Sequence, residues 1–123
     1  MKRLILISLL FVLATACGHK DKGFMPERLL TEEEMIDVMT DVQIIEAQIN
    51  YQKSLGKEED APTVDYKAMA QSYYDQFFEH YGITDTIFSQ NIRYYTERPE
   101  VLERIMDSVV QRLTREQSTS SAQ

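Results

Sequence analysis

Chemistry in this chain would have to come from few groups: Cys17, His19, His80 and the carboxylates Asp37, Asp41 and Glu46. Asp37 and Asp41 stand four residues apart, which puts both on one face of a helix. A hard cation takes about six to eight oxygen ligands, and no histidine accompanies this pair, so a metal site is not expected. Asp37 and Glu46 read as a solvated face. Asp41 lies beside an apolar stripe and is expected to act structurally, by pairing with Arg93 or by capping another helix. His80 precedes Tyr81-Gly82 at the carboxyl end of a helical pattern, where a cation interacts favourably with the helix dipole. Capping therefore outranks catalysis there. Ser72, Ser89 and Ser108 lie in no nucleophile motif, and His19 has no visible partner. The expectation is a protein that is not an enzyme and needs neither metal nor cofactor.

Cys17 is the lone cysteine, so no internal disulfide can form. It closes an amino-terminal segment with a defined order. Met1-Lys2-Arg3 is basic, and Leu4 to Leu13 is apolar except for Ser8. That run has the length of a signal-peptide core and falls short of the roughly 20 residues that span a bilayer. Ala14 and Ala16 suit a signal peptidase, and Leu13-Ala14-Thr15-Ala16-Cys17 resembles a bacterial lipobox, although Ala14 stands where leucine is commonest. The resemblance implies acylation of the Cys17 sulfur (the palmitate type of modification) and cleavage before Cys17. The alternative is cleavage after Ala16 to give a soluble secreted protein with a free thiol. Each buried methylene contributes about 0.8 kcal/mol, so two or more fatty chains hold a protein at a membrane firmly. Gly18 follows the cysteine where aspartate would signal inner-membrane retention, so the same resemblance favours the outer membrane, facing the periplasm. The expected layout is a signal peptide over 1–16, a lipidated cysteine and tether over 17–30, a helical domain over 31–113 and a disordered tail over 114–123.

The remaining candidates are aromatic. Tyr73-Tyr74, Phe77-Phe78 and Tyr94-Tyr95 are adjacent pairs, and only one member of each can face a core fully. The other either buries its ring with the hydroxyl wet or belongs to a partner surface, where tyrosine and arginine are enriched. Arg93, Tyr94 and Arg98 are the candidate partner surface.

Helices must position all of these. Thr31-Glu32-Glu33-Glu34 is a capping box, with Leu30 and Met35 in the staple positions. Met35, Val38, Val42, Ile45 and Ile49 form one stripe, widened by Ile36 and Ile44. Gly56 is a left-handed stop after Leu55, and Lys57–Thr63 reads as a solvated loop. A second helix begins near Thr63 or Asp65, with Tyr66, Met69, Ala70, Tyr73, Phe77 and Tyr81 inward and Tyr74 and Phe78 on the shoulder. Gly82 caps it, and Thr84 starts a third helix with Ile83 and Phe88 as its staple and Phe88, Ile92 and Tyr95 as its stripe. Pro99 fits a first helical turn, so a break falls at Glu97-Arg98. Leu102, Ile105, Met106, Val109 and Leu113 make the fourth stripe, flanked by Val101 and Val110. The fold class is all-α, a small bundle of three to four amphipathic helices.

Three stretches carry a family resemblance: Met35-Ile36-Asp37-Val38-Met39-Thr40-Asp41-Val42-Gln43-Ile44-Ile45-Glu46-Ala47, His80-Tyr81-Gly82-Ile83-Thr84, and Phe88-Ser89-Gln90-Asn91-Ile92-Arg93-Tyr94-Tyr95 with Pro99-Glu100 beyond it. Together they resemble domain of unknown function 4296, small lipoproteins of Bacteroidota, over roughly residues 26–113. The resemblance implies a helical lipoprotein of the periplasm or outer membrane and carries no assigned activity or catalytic residue.

Composition agrees with an anchored binding module. Seven tyrosines and five phenylalanines in a chain that is 43% apolar can form a core. Removing Lys2 and Arg3 with the leader takes the formal charge from −7 to −9, which repels phosphate backbones, so nucleic-acid binding is not expected. The expected function is a lipid-anchored envelope protein whose helical domain binds or scaffolds another envelope protein. The alternative is a periplasmic chaperone-like binder of unfolded clients, suggested by methionines, which adapt to varied surfaces.

Overall fold

Thr31 and Glu34 start the first helix reciprocally. Thr31 Oγ1 accepts from the Glu34 amide at 3.1 Å, and the Glu34 carboxylate accepts from the Thr31 amide at 2.8 Å. In this computed structural model, which describes residues 23–57 and 62–122, the capping box opens α1 (Glu32–Leu55). The proposed signal peptide, Cys17, His19 and residues 58–61 of the predicted loop lie outside the described residues. Among the described residues there are three more helices and no strand: α2 (Tyr66–Tyr81), α3 (Asp85–Thr96) and α4 (Pro99–Ser121). The chain is all-α.

Each junction has a local cause. Asp65 accepts from the amides of Lys67 at 3.1 Å and Ala68 at 3.0 Å and so caps α2. Gly82, at φ 60°, ends α2 in the left-handed region, where its amide bonds the Glu79 carbonyl and the Ile83 amide reaches back to Phe78. Ile83 is then buried as the closing apolar residue of α2 and the entry residue of α3, whose cap is Thr84 with the Ile87 amide at 3.2 Å. Pro99 takes the first position of α4, where no amide is needed.

α1 lies between two neighbours. α2 runs antiparallel to it, with Tyr81 beside Asp41, Tyr74 beside Glu46 and Tyr66 beside Gln52. α4 runs parallel, with Arg104 on Glu32 and Arg112 on Asp37. α3 packs against α4, and the strap of residues 23–30, which leads into α1, is bonded to α3. The core joins Leu30, Met35, Val38, Phe77, Ile83, Tyr95, Ile105 and Val109. Fully burying one such side chain contributes about 1.5–3 kcal/mol.

Several expectations are corrected. Gly56 is right-handed, at φ −68°, so handedness is not why glycine stands there. A Cβ at Gly56 would lie 1.7 Å from the Tyr66 hydroxyl, which donates to the Gln52 carbonyl at 3.3 Å. Ile44 and Val110 face solvent rather than widening the core. In α2 the core row is Tyr74, Phe77, Phe78 and Tyr81, because the hydroxyls of Tyr74 and Tyr81 reach acids on α1. Tyr73 stays half-buried. The tail is not frayed from Thr114: α4 continues to Ser121, with Thr114, Ser118, Thr119, Ser120 and Ser121 each donating to the carbonyl four residues back. Such back-bonds slightly weaken a helix, so this last stretch of α4 is held by its backbone ladder and not by its hydroxyls.

Candidate interaction surfaces

The acidic row of α1 is occupied by donors from its neighbours. Asp37 pairs with Arg112, Asp41 accepts from the Tyr81 hydroxyl at 2.6 Å, and Glu46 accepts from the Tyr74 hydroxyl. Asp41 is therefore structural, but its partner is a phenol rather than Arg93. Desolvation, then the hydrogen bond and charge of Glu46, push Tyr74 up to about 12. Tyr81 is pushed further the same way, by burial and then by Asp41. The bond to Asp37 raises Arg112 above the usual arginine value. Among the described residues no group of three or more histidine, cysteine or acidic side chains converges on a possible metal position.

His80 is exposed in the last turn of α2, its ring edge-on to Tyr81 at 4.8 Å between centroids. The amides of Gly82 and Ile83 satisfy the carbonyls nearest it, so His80 sits at the negative end of the helix without making the cap itself.

The structure joins Tyr94 to Arg98, whereas Arg93 stays exposed and makes separate contacts. Arg98 stacks over the Tyr94 ring at 3.6 Å and donates to the Tyr94 carbonyl at 2.7 Å. Arg93 lies over Phe24 at 4.2 Å and pairs with Glu97 at 3.3 Å. Tyr94 packs on the core and meets Tyr95 edge-on at 5.1 Å.

Asn91 was not legible as a key residue, yet it organises this end. It is fully buried: Oδ1 accepts from the Leu30 amide at 2.8 Å, and Nδ2 donates to the carbonyls of Arg28 at 2.7 Å and Ile87 at 2.8 Å. The Tyr95 hydroxyl donates to the Leu30 carbonyl, and the Glu27 amide donates to Gln90 at 2.9 Å. An amide side chain between Phe88 and Tyr95, inside the α3 stripe, was the signal available. Buried amides need partners, and here the partner is a passing backbone.

At the other end, α1 and α4 leave an open groove of about 860 Å³. Ile44, Ala47, Tyr51 and Leu113 supply its apolar lining, Gln43, Gln48 and Gln117 its amides, and Glu116 its charge. Tyr51 is 58% exposed. Spacing made neither wall evident, because the α4 wall lies in the stretch expected to fray. The helical methionines are not displayed as an adaptable face: Met35 is buried and Met39, Met69 and Met106 are half-buried.

A family model described as domain of unknown function (DUF4296) matches residues 26–119. The chain belongs to the DUF4296 family. No curated protein and no solved structure matches it. The DUF4296 match runs from the strap through α4, and the residues carrying the resemblance include Asp41, Tyr81, Gly82, Asn91, Tyr95 and Pro99. All six serve helix ends, interhelical bonds or the hold on the strap, so in this DUF4296 chain these residues serve the architecture.

Proposed function

We propose that this DUF4296 protein is a lipid-anchored envelope protein whose helical domain is a non-catalytic docking module. The anchor is Cys17, fixed at the outer membrane with the domain in the periplasm. The carrying observation is the groove between the distal halves of α1 and α4. Ile44, Tyr51 and Leu55 lie seven and four residues apart, all exposed, which is the seam spacing of a helix that expects another helix. The occupant is an amphipathic helix of another envelope protein, seated through apolar contacts and amide side chains.

A photo-crosslinker at Tyr51 in native membranes should capture one defined protein, and one at Tyr94 should not. Capture of the chain itself would make the groove a self-association surface, and an unselective ladder of neighbours would remove the docking role. For the anchor, Cys17→Ser should release the protein from the membrane fraction. The buried and half-buried helical methionines favour a defined partner over the chaperone-like alternative.

A further inference from the structure

The described chain begins at Gly23 on the α3–α4 turn, where a Cβ would lie 3.0 Å from Arg98 Nη2. From there the strap turns some side chains in and others out. Pro26 and Leu30 are buried, whereas Met25 is 66% and Leu29 41% exposed. These two apolar side chains cannot turn inward, because the backbone around them is pinned through Glu27, Arg28 and Leu30 to Gln90, Gly82, Asn91 and Tyr95.

We infer that the strap is a lipid-contact surface: Met25 and Leu29 seat in the bilayer interface beside the anchor, with the exposed Arg93, which lies over the strap's Phe24 ring, at headgroup level. This rests on the anchored reading above. The six residue steps from Cys17 to Gly23 span at most about 22 Å. That is less than the roughly 30 Å diameter of a small domain, so no folded partner fits between this face and the membrane. Exposed apolar groups with a cation beside them match the interface, where apolar stems bury and charged heads stay wet. Arg93 and Arg98, beside Phe24 and Gly23 of the strap, therefore belong to the membrane side. The groove lies toward the far end of the 23-residue α4, about 30 Å away.

The lipidated full chain, reconstituted in phosphatidylethanolamine–phosphatidylglycerol vesicles, tests this. Met25→Cys and Gln117→Cys each supply one free thiol for an environment-sensitive fluorophore, since the Cys17 sulfur carries lipid. With a headgroup-attached quencher, the Met25 probe should be quenched several-fold more than the Gln117 probe and shift its emission to the blue. A probe at Leu29→Cys should follow it. Vesicles that float with the protein, yet quench both positions equally or Gln117 more, overturn the inference alone. Protein that does not float lacks the anchor, and both readings fall.

Discussion

Asn91 illustrates how a single buried polar group can hold a segment that has no secondary structure of its own. Its three hydrogen bonds satisfy the Leu30 amide and the Arg28 and Ile87 carbonyls. Asn91→Ala leaves the buried Leu30 amide unpaired, which costs about 1–3 kcal/mol. Urea titration should show that loss, and hydrogen exchange at Leu30 should accelerate more than exchange in α2. The tyrosines make a second prediction at this scale. Tyr74 is pushed up to about 12, and Tyr81 and Tyr95 are raised chiefly by burial. A raised phenol favours the protonated form in the folded protein. The stabilisation is therefore complete below the ordinary tyrosine value near 10 and is lost as pH climbs through the folded values. Tyrosinate absorbance followed together with circular dichroism should show these phenols ionising only as helicity falls; early ionisation with the fold intact would contradict the assigned contacts.

Helix ends were the most legible elements, because a cap is written in adjacent residues. Thr31 with Glu34, Gly82 with Ile83, Thr84 and Pro99 all act as their spacing predicts. Facing was read less well. Ile44 and Val110 turn outward, and the α2 row rotates toward Tyr74, since periodicity names a stripe but not the neighbour it meets. At Gly56 the sequence suggests handedness, whereas proximity to Tyr66 is the constraint. The two surfaces escaped the sequence for a related reason: the strap depends on contacts 61 to 65 residues apart, and the groove on an extension of α4 that composition argued against. Gly82→Ala must hold a side chain in a left-handed conformation, at about 1–2 kcal/mol, visible as a lower melting temperature. Truncation after Leu113 removes one wall of the groove but leaves Ile105 and Val109 packed. Stability should change by no more than roughly 0.5 kcal/mol while crosslinking from Tyr51 disappears.

For the molecule as a whole, stability is concentrated at one end. Leu30, Met35, Ile83, Tyr95 and Ile105 all gather in one cluster, where the strap bonded to α3 leads into α1. Among the described residues the groove end has no comparable cluster. Ile105 has no exposed surface, so Ile105→Ala should cost about 2–5 kcal/mol and depress the global transition. In a domain of this size, with a total of about 5–15 kcal/mol, that is a large share. Melts reporting from labels at the two ends would separate local loosening of the groove from collapse of the core.

The strap also fixes how load travels. Tension applied ahead of Gly23 would enter through the backbone between Glu27 and Leu30 and pass to α3 by way of Asn91 and Tyr95. α1 would be pulled at its capped first turn, while the far ends of α1 and α4 would carry little of the strain. A tug on the amino-terminal side would then be borne by the best-packed part of the protein, and the open trough between the two long helices would keep its shape.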